Sequence, residues 1–171
     1  LFAPSYHTLA SYYAARADYP KAMAELVQLN AKVPGDLRAL IGLAALSDLV
    51  GRDADAVLYY KKAQQTKALE AYLALSAYHQ KKNAPDLALE VLDEAIRLHP
   101  QSLAPLEAKG AVFMARKHYK KALKVYDEVE ALNPDRATML KVAAYRDARD
   151  GKMAVEQARR LVNRHPDSPQ G

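Results

Sequence analysis

Apolar side chains recur along this chain at the spacing of one helix face. Tyr6, Leu9, Ala10 and Tyr13 stand at i, i+3, i+4 and i+7, and Tyr72, Leu75, Ser76 and His79 repeat the same steps. Leu40, Leu43 and Ala44 follow that spacing too, and so do Leu106, Gly110 and Phe113. The pattern predicts helices over 4–16, 20–33, 36–50, 53–66, 69–82, 86–99, 102–116, 119–132, 135–148 and 152–165, with little sequence between them.

Prolines punctuate these helices. Pro34, Pro100, Pro134 and Pro166 each follow an amphipathic stretch, at spacings of 66, 34 and 32 residues. The long interval is two short ones, so one repeat between Pro34 and Pro100 lacks its Pro. Twelve residues before each Pro stands an Ala: Ala22, Ala88, Ala122 and Ala154. Ala10, Ser76, Gly110 and Val142 stand 24 residues before it, and Tyr13, His79, Phe113 and Tyr145 stand 21 before it. The repeat without Pro supplies Ala44 and Ala56. Each repeat therefore reads as two helices: the small residue of the first lets the second approach, and the Ala of the second receives it. Pro closes the pair because it cannot continue a helix and turns the preceding residue away from the helical region. Asp36, Ser102 and Asp135 then read as N-caps of the following helices, and Gly51 and Gly151 as turns within repeats.

Five copies of this template resemble the tetratricopeptide repeat (TPR), a helix pair of 34 residues with the pattern aromatic-x2-Leu-small-x2-aromatic…Ala-x3-aromatic…Pro. The first copy reads Tyr6, Leu9, Ala10, Tyr13, Ala22, Leu26, Pro34, and the third Tyr72, Leu75, Ser76, His79, Ala88, Leu92, Pro100. In the fourth, Leu106, Gly110, Phe113, Ala122, Tyr126 and Pro134 fill the slots, with Lys109 in place of Leu. The second keeps Leu40, Leu43, Ala44, Ala56 and Tyr60 but has Ser47 in a ring slot. The fifth departs most, with bulky Val142 and polar Thr138 and Lys141. The resemblance implies an all-α, right-handed α-solenoid: one array over 1–171 with repeats at about 3–34, 35–68, 69–100, 101–134 and 135–166, and a further repeat beginning at 167–171. Such an array is expected to be a section of a longer protein.

Composition agrees with a folded chain and removes several chemistries. Of 171 residues, 50% are hydrophobic and 26% charged, with no Cys and no Trp. Lacking Cys, the chain has no disulfide, thiolate zinc site or cysteine nucleophile. No apolar run approaches the roughly 18 residues of a membrane-spanning helix. The net charge of +5 resides in the later part: residues 1–60 carry 5 basic and 6 acidic groups, residues 61–171 carry 20 and 14. The composition does not fix the compartment. The string His165-Pro166-Asp167-Ser168-Pro169 resembles bacterial exported TPR lipoproteins of the PEP-CTERM exopolysaccharide type, which implies an exported or periplasmic location.

The residues point away from catalysis. His7, His79, His99, His118 and His165 form no i,i+4 pair and no zinc-ligand spacing, so neither a metal nor a cofactor is expected. No Gly-rich phosphate loop or Gly-x-Ser-x-Gly elbow is present. His99 and His165 read as helix ends and His79 as a packed ring. Tyr6, Tyr13, Tyr60, Tyr72, Tyr126 and Tyr145 occupy core slots of the template, which favours packing over nucleic-acid stacking. The strongest charge cluster is Arg116, Lys117, Lys120, Lys121 and Lys124, a candidate surface for an anionic partner.

The resemblance also implies a binding surface, the concave face formed by each repeat's first helix. Its positions carry over to His7, Thr8 and Ser11, then Ile41, Gly42 and Ala45, then Leu73, Ala74 and Ala77, then Glu107, Ala108 and Ala111, then Met139, Leu140 and Ala143. The Lys, Arg and Asn set with which chaperone-binding members clamp a chain terminus is missing. The expected groove is smooth and apolar at its centre, with Arg38, Asp48, Glu70, Gln80, Lys81, Arg136 and Arg146 at its ends, and suits a peptide or amphipathic helix of a protein partner. The expected function is a non-enzymatic interaction scaffold. A structural spacer or self-associating scaffold, and polyanion binding through the 116–124 cluster, are the alternatives; nucleic acid and membrane insertion are not expected.

Overall fold

In the computed structural model, which describes residues 3–165, the chain is helical, with no strand among the described residues. The helices are α1 (Ala3–Ala15), α2 (Tyr19–Lys32), α3 (Leu37–Leu49), α4 (Asp53–Gln64), α5 (Leu69–Lys81), α6 (Pro85–Leu98), α7 (Leu103–Ala115), α8 (Tyr119–Leu132), α9 (Pro134–Asp147) and α10 (Gly151–Arg164). Each expected helix is present, with ends shifted by at most two residues. Pro166 and the expected start at 167–171 lie outside the described residues. The chain divides into two compact units, Leu1–Tyr78 and His79–Gly171.

One turn recurs inside every repeat. The backbone N–H groups of Asp18, Arg52, Ala84, His118 and Asp150 donate to the carbonyls of Tyr13, Ser47, His79, Phe113 and Tyr145, at 2.8–2.9 Å. These are the six-to-one bonds of a Schellman motif, which requires a left-handed residue just past the helix. That residue is Ala17, Gly51, Asn83, Lys117 or Arg149, with φ between 56° and 76°. Only Gly51 enters that region without a steric cost. Gly151, expected in the fifth turn, is instead the first residue of α10, and Arg149 makes the left-handed step. The turn bond ends on the ring-slot carbonyl even at Ser47, where the ring itself is missing.

Caps and prolines correct the sequence reading in one repeat. Asp36 caps α3 as expected, accepting from Ala39 N at 2.7 Å, while Ser102 holds the N-cap position of α7 without a side-chain bond. Pro134 does not close the fourth repeat but opens α9 at its first position, where a missing N–H costs nothing. The cap therefore moves back to Asn133, which accepts from Arg136 N at 2.9 Å. Asp135 is left free to bind Arg164 and His165 from α10 (Nη1–Oδ1 3.1 Å and Nε2–Oδ2 2.7 Å). His165 first, then Arg164, holds the Asp135 carboxyl below the usual carboxylate range.

In the N-terminal unit α1 packs on α2, α2 on α3 and α3 on α4. Tyr6, Ala10, Leu26, Leu29, Ala39 and Leu43 form one buried cluster, and Leu40, Ala63 and Ala71 another that brings in α5. In the C-terminal unit α6 packs on α7, α7 on α8, α8 on α9 and α9 on α10, around Leu106, Ala122, Val125, Tyr126, Val129, Ala137 and Ala144. Of the tyrosines expected inside, Tyr6, Tyr60, Tyr72 and Tyr126 are buried, but Tyr13 and Tyr145 are only half-buried. Tyr78, not expected inside, is buried with its ring 5.3 Å from that of Tyr60. Leu9 occupies the slot of buried Leu43 and Leu75 yet is exposed.

In the fourth repeat the small slot is answered by a ring, not by the Ala expected to receive it. A Cβ on Gly110 would lie 2.2 Å from Cε1 and 2.7 Å from Cζ of Tyr126, so only glycine fits. Sequence places the pair Gly110 and Tyr126 where the fifth repeat has Val142 and Ala158, with the volumes exchanged.

The two lysines in core slots are paired across repeats. Lys109 on α7 reaches Asp93 on α6 (Nζ–Oδ1 2.7 Å), and Lys141 on α9 reaches Asp127 on α8 (2.6 Å) and Glu130. Lys109 and Lys141 share one template slot, and Asp93 and Asp127 another. Burial works against the Lys141 ammonium, but its hydrogen bonds to Asp127 and Glu130 outweigh this and hold its pKa above the ordinary lysine value. Thr138, fully buried, donates its hydroxyl to Pro134 O at 2.8 Å.

Two outcomes test this packing. Gly110→Ala should destabilise the chain by about 1–3 kcal/mol in urea unfolding, with partial recovery when Tyr126 is also shortened to Leu; a neutral Gly110→Ala would refute the close approach. Lys141→Leu should leave stability unchanged or raise it, since its carboxylate partners remain solvated. Asp127→Ala combined with Glu130→Ala should instead cost about 1–3 kcal/mol, because it strands a buried ammonium.

Candidate functional site

The expected lining falls entirely on the first helices of the repeats. In the N-terminal unit, Thr8 and Ser11 lie on α1, Ile41 and Ala45 on α3, and Leu73 and Ala77 on α5. Thr8, Ser11, Ala45 and Ala77 are exposed, while Ile41 and Leu73 are half-buried. In the C-terminal unit, Glu107, Ala108 and Ala111 lie on α7, and Met139 and Ala143 on α9. Ala111 and Met139 are exposed and the other three half-buried. These positions face outward because the same helices spend their Tyr, Leu and small residues on the core.

The N-terminal unit adds depth to this lining. A cavity of about 300 Å³ opens between α1 and α3, lined by His7, Ala10, Ser11, Ala14, Leu26, Arg38, Gly42, Ala45 and Leu46. Gly42 lets Leu26 pack closely in its wall: a Cβ there would stand 2.8 Å from Leu26 Cδ1, a methyl of α2. His7, Ser11, Gly42 and Ala45 are among the expected lining positions, and Ala10, Ala14, Leu26 and Leu46 are not. The available signal was Gly42, a glycine inside a helix with no turn to explain it. At one edge His7 Nε2 lies 3.2 Å from Asp36 Oδ1, the same oxygen that caps α3.

The C-terminal unit modifies the expected smooth apolar lining. Glu107 receives a two-pronged grip from Arg136, Nε to Oε1 at 2.6 Å and Nη2 to Oε2 at 2.7 Å. Hydrogen bonding by Arg136, opposed by burial, holds the Glu107 carboxyl below the usual range, and Glu107 raises Arg136 in return. A paired fork of this kind fixes both side chains and cancels their charges. Arg136, expected at the groove's end, is thus bound to a member of its lining.

The basic cluster is less uniform than its sequence. Arg116 is committed to Asp86 at 2.6 Å, Lys117 makes the left-handed turn, and Lys121 Nζ lies 5.7 Å from the Phe113 ring centre. Lys120 and Lys124 are exposed. A shallow cavity of about 410 Å³ is lined only by the turn itself, Lys117 to Lys121. Lys120 and Lys121 stand at the positive end of the α8 dipole, and the first turn of that helix holds no acid.

The histidines and carboxylates serve the scaffold. His99 and His165 are helix C-caps, His79 is a half-buried member of α5, and Asp93 and Asp127 join repeats. Among the described residues there is no group of three His, Asp or Glu placed to hold a metal ion, and no helix is long and apolar enough to cross a membrane.

Comparison with known proteins bears on the fold. No protein-family model matches the chain. Over 135 residues it is 26% identical to protein O-mannosyl-transferase TMTC1 of Homo sapiens, covering 75% of this chain and 15% of that protein. The chain thus spans less than a sixth of the length of this curated relative. The solved structure of MamA is similar with a TM-score of 0.67 at 20% identity, covering 94% of this chain and 90% of MamA. YrrB, described as a TPR protein with an unusual peptide-binding site, is similar with a TM-score of 0.59 at 17% identity, over 95% of this chain and 86% of its own. Helical hairpins repeating one turn and one close contact, with structural likeness along most of the chain, give it the all-α solenoid fold of the tetratricopeptide-repeat proteins.

Proposed function

We propose that this chain is a non-enzymatic protein-interaction scaffold. It holds a segment of a protein partner on the surface presented by the first helices of its repeats, which we read from their sequence phase as one array over 1–171. The observation that carries this reading is the lining itself. Ser11, Ala45, Ala77 and Ala111 are small and exposed on helices whose other faces are packed, so a partner backbone can approach them closely. Ile41, Leu73 and Met139 add apolar contact without closing the surface. The peptide-binding site named for YrrB, a protein of the same fold, supports the same use here. The non-enzymatic part rests on where reactive groups are spent: His7 on Asp36, His165 on Asp135, and Lys109 and Lys141 on the acids of preceding helices. The polyanion alternative is weakened by the Arg116–Asp86 pair, which takes one cation out of the cluster.

Selection of binders from a random displayed peptide library tests the reading. Ala77→Arg and Ala111→Arg should each weaken the selected peptides by about tenfold or more while helicity stays unchanged. Peptides that bind both variants as well as the parent chain would overturn it. A second reading, self-association, is favoured by exposed Leu9 and Tyr12 on α1 and exposed Val155 and Val162 on α10. Light scattering over a concentration series decides it: a mass that rises with concentration supports self-association, and a constant monomer mass removes it.

A further inference from the structure

The cavity between α1 and α3 carries more chemical information than the rest of the lining, and one comparison within the chain shows what it lacks. Arg136 and Arg38 occupy the same template slot, two residues before Thr138 and Leu40 respectively. Glu107 and His7 share another, one residue after Leu106 and Tyr6. In the C-terminal unit the acid fills the Arg: Glu107 lies in the Arg136 fork at 2.6 and 2.7 Å. In the N-terminal unit the acid is replaced by His7, which itself sits on Asp36. Asp36 also accepts the Ala39 N–H, and no carboxylate lines the cavity. Arg38 is therefore exposed at the mouth of a cavity whose internal acid has been exchanged for a ring. Below it the walls include Ala10, Ala14, Leu26, Ala45 and Leu46, and a methyl of Leu26 lies against the bare Cα of Gly42. About 300 Å³ lies at the small end of ligand pockets, room for one large side chain and not for a helix.

We infer that this cavity is an anchor for a bulky apolar side chain of an extended partner segment whose neighbouring Asp or Glu side chain binds Arg38. The inference rests on the scaffold reading and specifies its partner. Gly42 lines the anchor with Leu26 close against it, so a large side chain there fills the subsite or displaces its wall while the outer lining stays. Arg38 supplies selection for the acid, as Arg136 does internally for Glu107. The acid comes from a side chain within the segment, because a single guanidinium at a cavity mouth reads a neighbouring carboxylate and not specifically a chain end.

The test uses the whole chain and two end-capped peptides, acetyl-Ala-Phe-Glu-Ala-amide and its Gln counterpart, followed through backbone amide resonances. The Glu peptide should produce saturable shifts centred on Ser11, Gly42 and Ala45, and the Gln peptide should bind roughly five- to tenfold more weakly. Arg38→Gln should erase that difference while keeping apolar binding, and Gly42→Leu should abolish both. Gly42→Ala, which displaces only a terminal methyl of Leu26, should weaken binding with helicity intact and guards against a folding failure of the larger variant. Equal binding of the Glu and Gln peptides, shifts centred elsewhere, no saturable shift, or indifference to Gly42→Ala and Gly42→Leu would each overturn the anchor. The general reading fails separately: library peptides that remain sensitive to Ala77→Arg and Ala111→Arg preserve it even when the anchor is lost.

Discussion

The close approach of two helices at a small residue is the contact on which each hairpin depends. Gly110 lies so near Tyr126 that a methyl group would overlap the ring, and that proximity sets where α8 can lie on α7. The same slots hold Ala10 and Leu26 in a buried cluster of the first repeat. Interiors packed to crystal-like density do not yield to an added carbon, so the small residue is a constraint and not a preference. The recurring Schellman turn serves it, because a reversal of fixed geometry delivers the second helix to the same contact each time. Five residues accept a left-handed backbone for this purpose, four of them without the freedom of glycine.

Between hairpins a different interaction operates in the C-terminal unit. Lys109 and Lys141 stand where an apolar residue would pack, and each reaches an Asp of the preceding helix. The stems of such side chains lie along the core, and the carboxylates that they reach stay at the solvated rim. An ion pair of this kind gains little over an apolar contact, but it ties each hairpin to the one before it. The fork between Arg136 and Glu107 does the same on the outer face. Where His7 stands in place of that acid, the Arg of the same slot, Arg38, is exposed.

Most of the fold was legible because it rests on periodicity. Helical spacing and a repeated Ala place all the described helices to within two residues. Pro134 was misread because proline is compatible with both the stop after one helix and the first position of the next; Asn133, able to cap, decided the matter. Tyr13 and Tyr145 share a ring slot beside the turn, where the helix end leaves one side open, and so are only half-buried. The lining positions could be assigned by resemblance, but the partners of Glu107, Arg116 and Asp135 could not, since each lies about 30 residues away and no local pattern links them.

The sequence by itself determined the repeat, because a helix face and a turn are properties of neighbouring residues. Only the tertiary structure decided the chemistry of the surface. It showed that Glu107 is neutralised by Arg136, that Arg116 is spent on Asp86, and that a cavity lies beside Gly42 and Leu26. The physical reason is that charge pairing and empty volume depend on which side chains meet across helices, and that is fixed only when the helices are packed.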